Sequence, residues 1–179
     1  IQAIDLPKNL RTIGGQAFFQ CKNLTEVEIP EKVTKIERKA FRECIGLTTV
    51  KINATNPQCD YGIFIDCNIN HVEFSENMEW IPDLLFAGAD FQGGTEVVIP
   101  KNVTAIGSSV FYGVNNLCKV IFAGNKVTQI GREAFYGTSI ETINLPEGLQ
   151  EISYGTFCDC TSLQEITIPN KVKKICFFR

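Results

Sequence analysis

The chain has 179 residues, 44% of them apolar, and a formal net charge of −3. The charges are interspersed, so there is no basic stripe of the kind that grips nucleic acid, and no apolar run approaches the roughly 20 residues of a membrane-spanning helix. With no linker, low-complexity run or composition shift, residues 1–179 read as one continuous domain.

From the N-terminus, a first unit places Ile4, Leu6, Pro7, Leu10, Ile13, Ala17, Phe18 and Cys21 at fixed offsets. A second, cleaner copy holds Leu24, Val27, Ile29, Pro30, Val33, Ile36, Ala40, Phe41 and Cys44. The common pattern is L-x-x-V-x-I-P-x-x-V-x-x-I-G-x-x-A-F-x-x-C. Its x-V-x-I part alternates apolar and polar residues, which predicts a strand. Proline donates no ladder hydrogen bond and so suits the strand end. The V-x-x-I part continues the coil, and Gly14, Gly107 and Gly131 in its last slot would permit a tight bend. The A-F-x-x-C part is too short for an independent helix and reads as a turn or short helical piece on the opposite wall.

Further along, three stretches depart from the pattern. Residues 53–61 lose the Pro and the V-x-x-I residues, with Cys59 in the Ile slot, and the repeat over 69–86 is degenerate. Trp80, one residue before Ile81, is expected to patch that irregular rung. Residues 87–96 lengthen one repeat, and such extra residues are expected as loops on the solenoid surface. The last unit holds Leu163, Ile166, Ile168, Pro169, Val172 and Ile175.

Phenylalanine marks every unit, at 18, 41, 64, 86, 111, 135 and 157, with intervals of 23, 23, 22, 25, 24 and 22 residues. This period predicts a solenoid of about 7–8 rungs, each unable to bury its apolar face alone. Rungs about 4.8 Å apart would form a parallel sheet on one wall. Turns, strands or short helical pieces would form the other, and the Phe side chains a continuous interior column. Solenoids need terminal caps with a polar outer face. Here Ile1 enters directly at a strand and the chain stops at residues 175–179 without one. A piece of a longer protein is therefore expected, or self-association through uncapped ends or the sheet wall.

Eight cysteines raise the question of disulfides or metal. Cys21, Cys44, Cys67 and Cys160 share the slot three residues after the interior Phe, which Ala89, Val114 and Thr138 fill elsewhere. Small occupants indicate a buried rung in which Cys acts as a small hydrophobe, so free thiols are expected. Cys158 and Cys160 are the one close pair, too few for a zinc site. Unpaired thiols fit a reducing compartment better than an oxidising one. His71, the single histidine, falls on a solvent-facing strand position beside no nucleophile. No acid–base or nucleophilic constellation can be assembled, and no phosphate-cradling Gly loop follows a strand. The sequence therefore points to no enzyme, no cofactor and no metal.

The repeat resembles the bacterial BspA-type leucine-rich repeats, also called the Treponema pallidum-type class. The resemblance is carried by Leu24 through Pro30 and Val33 through Cys44, and it covers essentially residues 1–178. It implies a right-handed leucine-rich-repeat coil. It also implies a surface-exposed or secreted protein of a bacterium or mucosal protozoan, associated with adhesion to host cells, extracellular matrix or other microbes. Asn23, Asn53 and Asn102 each begin an N-x-T sequon, relevant only if the source glycosylates.

A partner would meet the outward strand positions. One column holds Glu28, Lys51, Glu73, Val98, Ile121, Asn144 and Thr167, and the other Glu26, Thr49, His71, Glu96, Lys119, Thr142 and Glu165. Alternating Glu28, Lys51 and Glu73 should support one another by roughly 0.2–1 kcal/mol per pair. Val98 and Ile121 are expected as an exposed apolar pair at mid-sheet, and His71 and Lys119 stand in the other column. Tyr112 and Tyr136, each one residue after an interior Phe, should be neighbours on a second stripe, and tyrosine is enriched at interfaces. These six residues are the candidate partner-binding positions. The expected partners are host or matrix proteins and possibly glycans. The expected role is an adhesin-like module, with an intracellular scaffold or an oligomerising structural element as alternatives.

Overall fold

The computed structural model describes residues 2–176. They form a parallel β-solenoid of about seven turns, without a helix among the described residues. In chain order the strands are β1 (Thr12–Ile13), β2 (Glu26–Ile29), β3 (Lys35–Ile36), β4 (Thr49–Ile52), β5 (Gln58–Cys59), β6 (His71–Phe74), β7 (Trp80–Ile81), β8 (Thr95–Ile99), β9 (Ala105–Ile106), β10 (Leu117–Phe122), β11 (Gln129–Ile130), β12 (Thr142–Asn144), β13 (Glu151–Ile152), β14 (Glu165–Thr167) and β15 (Lys174–Ile175).

The longer strands make the first wall, in the groups β2-β4-β6, β8-β10 and β12-β14. Their register follows the repeat: Val27, Val50 and Val72 align, as do Ile29, Ile52 and Phe74. A period of two then sends these residues inward together, and all six are buried. The two-residue strands make a second parallel wall, in the groups β1-β3-β5 and β7-β9-β11-β13-β15. Cys59 does stand in the Ile slot, in register with Ile36. The expected strand at Ile1 lies outside the described residues. Residues 2–6 are not part of a ladder, although Gln2 accepts a hydrogen bond from the Thr25 amide at 3.4 Å.

The A-F-x-x-C segment is a chain of turns, not a helical piece. Around Phe18, the amides of Ala17, Phe19 and Cys21 donate to the carbonyls of Gly14, Gln16 and Phe18. In every rung the residues two before and two after the interior Phe have left-handed φ, as at Lys39 (60°) and Glu43 (59°) around Phe41. That alternation turns successive amides toward the next rung. Gln16, Phe18 and Gln20 donate to Arg38, Ala40 and Arg42 at 3.2, 2.8 and 2.9 Å. The turns thus form a third hydrogen-bonded wall.

Gly14, Gly107 and Gly131 do not supply a bend, because none of them has left-handed φ. A Cβ on Gly131 would lie 2.5 Å from the Ser108 amide nitrogen, and one on Gly107 would lie 2.8 Å from the Ile81 carbonyl oxygen. Close stacking of rungs is what excludes a side chain there. Gly14, on the first rung, has nothing within 4 Å of its Cβ position.

The Phe column forms as expected. Rings from Phe18 to Phe157 stack with centroids 5.1–5.8 Å apart. The lengthened repeat behaves differently from the expected surface loop. Phe91 is buried, pairs with Ile69 in a parallel bridge, and sets its edge against Phe86 and Phe111. It fills the slot held by Leu24 and Leu47, leaving Gln92, Gly93 and Gly94 exposed.

Candidate functional site

The strand wall displays the two expected columns in register. Glu26, Thr49 and His71 align, as do Glu28, Lys51 and Glu73. The mutual support expected along Glu28, Lys51 and Glu73 is redirected. Lys51 Nζ reaches diagonally to Glu26 at 2.6 Å, while Glu28 accepts from the Asn53 amide at 2.6 Å. The lysine stem spans the diagonal easily, and the hydrogen bond to Glu26 holds the Lys51 pKa above its usual value.

Val98 and Ile121 are direct neighbours across β8 and β10. Val98 is 46% exposed, but Ile121 is only half-buried, not fully exposed as expected. A bulge at Cys118 shifts the register at the start of this strand pair. Lys119 is committed to Glu96 at 2.9 Å, both side chains about half exposed. His71 is exposed on β6. It lies in the three-stranded group, whereas Val98 and Ile121 lie in the next group.

The other two candidates occupy the turn wall. Tyr112 and Tyr136 stack with centroids 4.6 Å apart and planes 10° from parallel. Tyr136 donates its hydroxyl proton to Asp159, and this bond raises its pKa to about 12. The six candidate residues therefore divide between two walls and do not converge on one patch.

Cys44, Cys67 and Cys160 donate to the carbonyls of Phe18, Phe41 and Phe135, one rung back, at 3.0, 3.2 and 3.0 Å. Burial pushes Cys44 up to about 11 and Cys59 to about 12, and Cys67 further. All eight cysteines are unpaired. Thiols so protonated are poor nucleophiles at neutral pH. Among the described residues no group of His, Cys, Asp or Glu could hold a metal ion. Two sequon amides are engaged: Asn53 donates to Glu28, and Asn102 donates to the Glu76 carbonyl at 3.0 Å.

Trp80 was missed as a surface feature. It does not patch the irregular rung from within. It stands on the outward position of β7, 42% exposed, above a shallow depression of about 580 Å³. Its place before a core Ile, the slot of Lys35 and Gln58, was the available signal.

Residues 1–92 and 91–178 match the profile of the BspA type Leucine rich repeat region (6 copies). This chain belongs to the BspA-type leucine-rich repeat family. No curated protein matches the sequence. Among solved structures, a leucine rich cell surface protein from Faecalibacterium prausnitzii A2-165 is 24% identical, with a TM-score of 0.63 over 93% of this chain and 47% of its own. The leucine-rich repeat protein of T. pallidum, TpLRR, is 23% identical, with a TM-score of 0.61 over 97% of this chain and 72% of its own. The BspA-type chain thus spans about half the length of the first protein, and at these identities the likeness is one of fold. BspA-type repeats are protein-interaction scaffolds. Among the described residues no helix is long and apolar enough to cross a membrane.

Proposed function

We propose that this domain is a non-catalytic binding module acting at a cell surface or outside the cell, as an adhesin-like protein that recognises host or extracellular-matrix proteins or other cells. The observation that carries this reading is the middle of the strand wall. Val98 stands 46% exposed beside Ile121, with the Glu96–Lys119 ion pair on the adjoining column. An apolar centre with a charged rim is ordinary interface anatomy. The cell-surface description of the Faecalibacterium prausnitzii protein supports the location.

The test is binding of the monodisperse chain to immobilised matrix proteins and host-cell glycans, with a Val98→Lys/Ile121→Lys variant alongside. Saturable binding that the variant loses supports the reading. Silence from folded protein across the panel defeats it for this segment.

The eight unpaired thiols favour a second reading, an intracellular scaffold built on the same repeat. An N-terminal export signal on the protein as it is translated would eliminate that reading. Native protein from its own compartment with all thiols reduced would support it.

A further inference from the structure

We propose that the second wall carries a binding site for a neutral oligosaccharide, built around Trp80. This deepens the interaction-module reading by giving it a ligand class on a wall that the strand-face hypothesis does not use.

The register of the short strands sets one outward column: Trp80, Ala105, Gln129 and Glu151 on successive rungs. Four rungs span about 14 Å, enough for a short oligosaccharide lying along the solenoid axis. Trp80 stands at a sheet break, because β5 pairs with β3 and β7 pairs with β9. A 42% exposed indole is unusual for so large an apolar side chain. Ala105, its neighbour in register, is 7% exposed although it occupies the outward column. The indole is therefore flanked by a small residue and 42% exposed, which offers a stacking platform.

Beside this column Gly107 and Gly131 line the depression. Rung stacking forbids a Cβ at either position, since a Cβ would meet backbone atoms of the preceding rung at 2.5–2.8 Å. No side chain can therefore stand at either position beside the column of Trp80. Around the depression stand the Gln129 amide and the hydroxyls of Ser108 and Ser153.

Charge decides the ligand class. The lining carries two carboxylates, Asp83 and Glu151, against two ammonium groups, Lys173 and Lys174. Asp83 already accepts from the Ser108 amide at 2.7 Å, and Glu151 from Lys174 at 3.0 Å. A face so balanced exerts little net field and has no preference for an ion. One aromatic plane among amides, hydroxyls and paired charges suits a ligand with apolar C–H faces and many hydroxyls. It lacks the apolar pocket that would anchor a peptide side chain.

The chain has a single tryptophan, so indole emission reports on this site alone. The intact domain is titrated with neutral cello-, manno- and N-acetyllactosamine oligosaccharides, and in parallel with sialylated and sulfated ones. At least one neutral sugar should shift or quench the emission saturably. Ligand-observed NMR then follows that sugar with Trp80→Ala, where association should weaken roughly tenfold, and with Gln129→Ala, where it should weaken severalfold. Both residues are exposed, and circular dichroism confirms the fold of each variant. The Val98→Lys/Ile121→Lys variant should keep the full response, which separates this site from the strand wall. No saturable response to any neutral oligosaccharide, a response to charged glycans only, or unchanged association in Trp80→Ala would each overturn the proposal.

Discussion

The thiol of Cys67 donates to the carbonyl oxygen of Phe41, one rung back, at 3.2 Å. The Phe41 carbonyl also accepts the Cys44 amide within its own rung, at 3.3 Å. Cys44 and Cys160 repeat this bond to Phe18 and Phe135, and Thr138 reaches Phe135 with its hydroxyl at 3.0 Å. Where the slot holds Cys44, Cys67 or Cys160 the thiol thus serves a carbonyl of the Phe column, whereas Ala89 and Val114 fill the same slot without a donor. Cys67→Ala should cost roughly 1–3 kcal/mol through the lost donor and the cavity. Cys67→Thr should cost less, because a hydroxyl in this slot can still donate to a Phe carbonyl, as Thr138 does to Phe135 of its own rung. Urea midpoints of the two variants measure the difference.

The same thiols set an alkaline limit. Cys44 and Cys59 ionise near 11 and 12 in the fold because burial disfavours the thiolate, against an ordinary value of 9.0. Protons therefore leave the unfolded chain first as pH rises. The stabilising contribution is whole below about pH 9 and is lost progressively up to the folded values. Urea midpoints should therefore fall as pH rises from about 9 toward about 11. Cys59→Val, which keeps an apolar group in the Ile slot, should show a shallower fall. An identical fall in both proteins would refute the assignment to Cys59.

Phe111 stacks on Phe86 and Phe135 at 5.8 and 5.7 Å and meets the edge of Phe91. Phe111→Ala should cost about 3–5 kcal/mol. Phe18→Ala should cost less, because Phe18 is only partly buried and stacks on one side. Equal losses for the two would mean that the column does not transmit packing along the axis.

Gly14 and Gly131 share one slot but differ in surroundings. Gly131→Ala should destabilise by about 1–3 kcal/mol, because its Cβ would strike backbone that rung stacking holds in place. Gly14→Ala should be neutral or stabilise by up to about 1 kcal/mol, since its Cβ enters open space. Thermal melts distinguish them.

Tyr136 should titrate late. Its bond to Asp159 raises its pKa to about 12, so ultraviolet titration should show one phenol ionising well above the ordinary value of 10.0. Asp159→Asn removes the carboxylate and should return that phenol toward the ordinary range.

Much of this protein was readable along the chain. The intervals between Phe residues specified stacked rungs, and the alternation in Val27-Glu28-Ile29 specified which strand residues face in. Both are local regularities, and a stack of like units copies them from rung to rung. Even Cys59 could be assigned to an Ile slot, because register in a solenoid is counted by residues. What the sequence left open were relations between neighbouring rungs. The carbonyl that Cys67 serves, the backbone that crowds Gly131, the diagonal from Lys51 to Glu26 and the inward turn of Phe91 all depend on atoms some two dozen residues away. The surfaces divide in the same way. Strand columns were legible from a period of two, but the separation of Val98 from Tyr112, and the exposure of Trp80 at a sheet break, follow from how three walls close around one core. Only the folded coil sets those walls against one another.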